Sequence, residues 1–288
     1  MRIDAHHHLW DLAAVHYPWL MAEGQVRFFG DPAPIQRDYL LDEFRRDAVG
    51  FGGSVHIQVG AESGWDEARW VQKIADRSPD WPLRQVVFCD LTANDLGERL
   101  DRYQTLTSLR GVRQIVGRAP GEDAQTGTNA LLTDPRFSAG LREAGRRGLS
   151  FDLQLIPELY EGMARVLDSA PDVRVALCHC GSPHDRSASG LEDWARKLRL
   201  LSGNPNVTCK LSGLGMFEHD WTAESVAPIV ETCLDQFGPE RCMFGSNFPV
   251  DSLYSDYLRI VRAYEALVPD HMHNDIFHDT AAGFYDLP

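Results

Sequence analysis

The feature that most constrains this chain is its beat. Short apolar runs at strand spacing alternate with longer segments whose apolar residues recur at helical spacing. The strand-like runs are Ile3 to Ala5, Ser54 to Val59, Gln85 to Cys89, Gly111 to Val116, Ser150 to Leu155, Val173 to His179, Asn206 to Leu211 and Arg241 to Gly245. Between them lie helical patterns over Tyr39–Ala48, Trp65–Arg77, Asp95–Leu106, about Arg136–Arg147, Leu159–Ser169, Leu191–Leu201, Thr222–Phe237 and Leu253–Leu267, with a last one over His273–Tyr285. Gly50, Gly52, Gly53 and Pro79 punctuate the early units. Such alternation predicts a parallel sheet covered by helices. Eight units favour closure into a (β/α)8 TIM barrel over an open doubly wound sheet. No GxGxxG follows the first strand and no phosphate loop is present, which counts against nucleotide binding. With 288 residues, 43% of them apolar, and no linker or low-complexity tract, a single domain over residues 1–288 is expected.

Composition removes several function classes. A net charge of −14 argues against nucleic acid and against anionic lipid, both of which call for a basic surface. No run approaches the ~20 apolar residues of a membrane span, and the N-terminus lacks a charged-then-apolar signal. The six cysteines, 89, 178, 180, 209, 233 and 242, sit mostly inside apolar runs and read as buried, reduced thiols in a cytoplasmic protein. A homo-oligomer is compatible with all of this.

The chemistry sits at strand ends, where a barrel of this kind carries its functional face. The chain opens MRIDAHHHLW, and on an extended strand Asp4, His6 and His8 share one face with His7 on the other. His179 ends the sixth strand, Lys210 lies on the seventh, and the eighth runs into Gly245-Ser246-Asn247-Phe248-Pro249. Taken singly, His179 is a core histidine, Lys210 half of a buried ion pair and Asn247 a turn former. Their joint position predicts one polar mouth. Asp11 to Asp38 is long and irregular, carrying Tyr17, Trp19, Phe28 and Phe29 as exposed-looking aromatics, and reads as a lid. Cys178 and Cys180 flank His179 and face away from it, so Cys-His-Cys is not expected to close on zinc.

The stretches IDAHHHLW, LRGVRQIV, LSFDLQL, His-Cys-Gly at 179–181, VTCKLSGL and MFGSNFPVD resemble the amidohydrolase superfamily, in its amidohydrolase-2 branch of pyrone-dicarboxylate hydrolases and sugar-acid lactonases. The resemblance spans nearly the whole chain in order. It implies a distorted (β/α)8 barrel with a site built from His6, His8 and His179 plus the residue at 247. Most members carry Asp where this chain has Asn247, as metal ligand and proton acceptor. An amide offers a carbonyl oxygen and an NH2 donor instead, and takes no proton at neutral pH. His179 is then the first candidate for general base. Asp251 is a second, unless it is simply a helix N-cap. Binuclear members bridge two ions with a lysine on the fourth strand. Here GVRQIV offers Arg113, and the only lysines are Lys73, Lys197 and Lys210. The expectation is at most one divalent ion, zinc or manganese, on His6, His8 and His179, or none.

Arg113 at the mouth suits a bidentate pair with an acidic substrate, or alternatively a buried pair with Asp152 on the next strand. Gln154 and His56 are candidate pocket-lining groups. The reading that collects these features is a hydrolase that opens an acidic lactone. His179 activates water, Lys210 or a metal polarises the carbonyl, and Asn247 donates to the oxyanion. The alternatives are a non-hydrolytic decarboxylase of the same family, and a catalytically silent barrel that binds a small acid or a partner protein.

Overall fold

A computed structural model describes all 288 residues. Eight strands form one sheet in sequence order with every pairing parallel. They are β1 (Arg2–His7), β2 (Phe51–Ile57), β3 (Leu83–Phe88), β4 (Leu109–Arg113), β5 (Ser150–Leu153), β6 (Val175–Leu177), β7 (Val207–Leu211) and β8 (Cys242–Phe244). The helices are α1 (Pro18–Met21), α2 (Leu41–Asp47), α3 (Gly64–Arg77), α4 (Leu96–Tyr103), α5 (Pro120–Thr126), α6 (Pro135–Arg146), α7 (Tyr160–Asp168), α8 (Ala188–Ser202), α9 (Ala223–Phe237), α10 (Tyr257–Leu267) and α11 (Thr280–Tyr285). This is the expected (β/α)8 barrel. None of its helices is long and apolar enough to cross a membrane.

Helix starts follow local chemistry. Thr222 and Ser225 exchange hydrogen bonds in a capping box before α9, and Asp134, Ser187 and Asp256 cap α6, α8 and α10 through their side chains. Between strands and helices lies a core of 67 buried residues. A separate cluster fills the barrel itself, with Ile3, Ala5, Val55, Ile57, Val86, Ala176 and Met243 packed on Ala281, Phe284, Tyr285 and Leu287 of the C-terminal segment. The last helix therefore plugs one end of the barrel. Tyr285 also donates to Asp152 Oδ1 at 2.9 Å.

Closure between β8 and β1 is made beyond the ladder. Asn247 N–H donates to the His6 carbonyl and His8 N–H to the Phe248 carbonyl, each at 2.7 Å. Asp4 Oδ1 accepts from the backbone N–H groups of His6 and Ser246, both at 3.0 Å, while Oδ2 accepts from Tyr257 of α10 at 2.9 Å. One buried carboxylate thus pins the first strand to the last. Burial pushes its pKa up to about 6, against those hydrogen bonds.

That pin corrects the expected strand face. The β1–β2 register shifts between Asp4 and His7, so alternation breaks there. Asp4 points out to α10, Ile3 and Ala5 point in, and His7 stacks on Phe44 of α2 with ring centroids 3.9 Å apart. His6 and His8 still share a face, and Asp4 does not join them.

Candidate active site

The open end of the barrel holds a cavity of about 1100 Å³ whose lining includes His8, His179, Arg113, Gln154, Gln58, Met216 and Asn247. The residues 11–38 form its roof. Trp19 Nε1 donates to the Val59 carbonyl at 2.7 Å, Tyr254 OH to the Phe29 carbonyl at 2.8 Å, and Arg27 reaches Glu122 of α5 at 2.6 Å. Tyr17 and Phe29 are buried in this arrangement, not exposed as their sequence context implied.

The imidazoles of His6, His8 and His179 meet at the floor. The His6 ring lies 5.2 Å from that of His8 and 4.5 Å from that of His179, centroid to centroid. Two glycines make this approach possible. A Cβ on Gly245 would sit 2.6 Å from His6 Cβ, and one on Gly213 would sit 2.3 Å from His179 Nδ1. His179 itself lies past the end of β6, in a left-handed turn with φ 56°, and Asn247 is also left-handed at φ 57°. Backbone strain of this kind persists where the surroundings over-determine it. Ser212, a residue the sequence reading passed over, holds the ring, with its Oγ 3.0 Å from His179 Nδ1 and accepting from His179 N–H at 3.3 Å.

All three imidazoles are held neutral. Burial lowers the pKa of each, to about 3 at His8, and the nearby cations, Arg113 foremost at His8 and His179, push the same way. His8 Nδ1 lies 2.8 Å from the Ile57 carbonyl, an acceptor, so the ring proton is on Nδ1 and Nε2 carries a lone pair. Both nitrogens of His6 are buried without a hydrogen-bond partner.

Asn247 corrects one expected role. Its NH2 donates to Asp251 Oδ1 at 3.3 Å, and its Oδ1 faces His8 Nε2 at 3.3 Å. The amide therefore presents its oxygen, not its donor, to the imidazoles. Two lone pairs facing each other repel unless a cation lies between them, so this donor set, with the orphaned nitrogens of His6, fits a divalent ion with nitrogen and oxygen ligands. Asp251 folds back behind Asn247 rather than capping a helix; Asp256 caps α10 instead. Its carboxyl is buried without a cationic partner, and its pKa is pushed up to about 7 by burial.

Four further expectations meet their structural outcome. Lys210 is fully buried inside the barrel, paired with Asp152 and donating to the Ala5 carbonyl at 2.8 Å. It is not among the cavity-lining groups. Since Asp152 belongs to Lys210, the alternative pair of Arg113 with Asp152 does not form. Arg113 instead donates to Gln154 Oε1 and to the Gln58 carbonyl at 3.2 Å, with Nε left free. A guanidinium with only neutral partners faces the cavity. His56 lies outside it: its Nδ1 accepts from Leu9 N–H at 3.1 Å and its Nε2 is 3.4 Å from Glu67. The thiols of Cys178 and Cys180, expected to face away from His179, donate to the Ala176 and Lys210 carbonyls.

Comparison with known proteins agrees with this architecture. Residues 3–287 match the family model described as amidohydrolase, and the chain belongs to that family. An uncharacterized protein, y4mH, from Sinorhizobium fredii is 36% identical over 98% of this chain and 97% of its own. An L-fucono-1,5-lactonase from Burkholderia multivorans is 28% identical over 100% of this chain and 97% of its own. The crystal structure of an amidohydrolase from Burkholderia multivorans, solved with zinc bound, superposes with a TM-score of 0.83 at 27% identity, over the full length of both chains. The class so defined is an enzyme, a hydrolase of the amidohydrolase type.

Proposed function

We propose that the protein hydrolyses a lactone, a cyclic carboxylic ester of sugar-acid or pyrone type, to the open hydroxy acid. The observation that carries this is the Arg113 guanidinium, bound only to neutral acceptors, above three neutral imidazoles on the cavity floor. The relatives named as lactonases support the bond type.

His6 and His8, with the amide oxygen of Asn247, are the groups that would hold one divalent ion, zinc or manganese. Bound there, such an ion supplies Lewis acidity toward a carbonyl oxygen. The chain's own residues supply the rest. Arg113 binds a carboxylate or carbonyl oxygen of the substrate and, with Gln154 bracing it, fixes the ring against the floor. Asn247 takes no proton, and Asp251 lies behind it, so the base is His179. With its Nδ1–H directed to Ser212, its Nε2 accepts the proton of the attacking water and returns it to the ring oxygen as the ester bond breaks. The roof residues Trp19 and Phe29 restrict bulk water. Lys210 acts from beneath the floor through its field alone. A strained cyclic ester suits a site whose base is an imidazole rather than a carboxylate.

The test is turnover of sugar-acid and pyrone lactones, followed by proton release, with zinc-reconstituted protein. Hydrolysis is expected, and His179→Ala should lower kcat by roughly 10²–10⁴-fold. A zinc-loaded protein that opens none of these lactones, or a His179→Ala variant that keeps full kcat, overturns the reading.

A further inference from the structure

Behind the turn that carries His179 lies a second group of potential ligands that the reaction does not use. Cys180 in that turn, Cys209 on β7 and Cys233 on α9 are fully buried, and their Sγ atoms all lie within 4.8 Å of one another. Cys209 and Cys233 are 3.8 Å apart, sulfur to sulfur. Metal–thiolate bonds of about 2.3 Å at trigonal or tetrahedral angles set neighbouring sulfurs roughly 3.8–4.0 Å apart. The cluster thus needs to tighten by less than about 1 Å to close on an ion. Cys242, the β8 partner of Cys209, borders it and donates its thiol to the Cys233 carbonyl at 3.6 Å. None of these residues stands in a short Cys-x-x-Cys motif; the fold alone assembles them from four elements.

Charge is also provided for. Arg186, directly after the same turn, donates Nη2 to the Leu214 carbonyl at 2.9 Å and keeps Nε and Nη1 buried without a partner. Cys178 stands apart from the cluster and donates to the Ala176 carbonyl.

We propose that Cys180, Cys209 and Cys233 form a three-thiolate site for one thiophilic d10 cation of the Cu(I), Zn(II) and Cd(II) group, distinct from the histidine cluster. Three soft sulfur donors select such ions over magnesium, calcium or manganese. For a divalent ion, three thiols and M²⁺ give [M(S-Cys)3]⁻ and three protons; nothing is oxidised or reduced, and the residual negative charge falls beside Arg186. Because Cys180 follows His179 within one left-handed turn, at φ 53° and 56°, an ion there anchors the loop that aims the base.

Cadmium is the probe, added to reduced, chelator-stripped, full-length protein. One equivalent should produce a sulfur-to-cadmium charge-transfer band, which imidazoles cannot give. The band should persist in His6→Ala and in Cys178→Ala. In Cys233→Ala the apparent affinity for the band should fall at least tenfold, with circular dichroism verifying the fold. X-ray absorption of the wild-type complex provides a second measure that needs no variant, with three sulfur neighbours expected in the cadmium shell. Absence of the band at saturation, its survival in Cys233→Ala, or a shell of nitrogen and oxygen alone overturns the proposal. Lactone turnover is not the readout, so failure here leaves the proposed hydrolase untouched, and the reverse holds too.

Discussion

At the scale of single residues, the site is governed by which atoms are left without partners. Asn247 keeps its oxygen toward His8 because Asp251 takes its NH2. Asp251→Leu removes that acceptor, and zinc affinity should fall about 10–100-fold, as for other losses of groups that orient a ligand; competition against a chromophoric chelator measures it. Asn247→Asp adds a negative charge to the same donor set and should tighten zinc in that assay. At Arg113 the charge has only neutral hydrogen-bond partners. Arg113→Gln should lower kcat/KM for carboxylate-bearing lactones by roughly 10–100-fold, the worth of one charged hydrogen bond, with a smaller loss for neutral lactones. Equal losses on both would show that the guanidinium does not read the carboxylate. Asp4 gives a pH signature instead. Its folded pKa of about 6 stands above the ordinary 3.8, so its neutral form is the one the fold favours. Its contribution is fully present below about pH 4 and lost as pH rises through about 6, worth roughly 3 kcal/mol over that window. In chelator-treated Asp4→Asn protein, whose amide can still accept from the two backbone N–H groups, that slope of unfolding free energy should vanish.

At the scale of elements, strands β5 and β7 are joined through the barrel by Lys210 and Asp152, both buried and both hydrogen-bonded beyond their own pair. Breaking such a pair strands a charge without water. Lys210→Met should cost about 3–5 kcal/mol in urea unfolding. Adding Asp152→Leu removes the stranded charge and should recover most of the loss, since an apolar replacement of a buried pair is often neutral. Failure to recover would mean that the pair does more than satisfy itself. The turns after β6 and β8 behave differently from the strands. Their left-handed residues, His179 and Asn247, are held by tertiary bonds to Ser212 and His6 respectively, and Asn247 also by a local bond to Asp251 four residues on.

At the scale of the whole molecule, the barrel is closed by contacts between its ends. Asp4 and the residues after β8 seal the wall, and the C-terminal segment fills the bottom with Phe284 and Tyr285 of α11 and with Leu287 beyond it. Removing residues 280–288 would expose that interior cluster. At roughly 1.5–3 kcal/mol for each large apolar side chain, truncation should cost at least about 4 kcal/mol, read as a large fall in Tm by calorimetry. The histidine floor lies at the opposite end, so the loss should appear in stability before it appears in metal binding.

The periodicity of apolar residues was enough to determine eight βα units and their order, because strand and helix spacing are local properties of the chain. His6, His8 and His179 were legible for the same reason, as polar residues where strands stop. What the tertiary structure decided are relations between distant residues. Lys210 met Asp152 and left Arg113 free, Ser212 held the His179 ring, and a register shift moved Asp4 off the histidine face. His56 left the cavity for Leu9 and Glu67. Each of these depends on which groups compete for the same partner once the barrel has closed, and spacing along the chain carries no term for that competition.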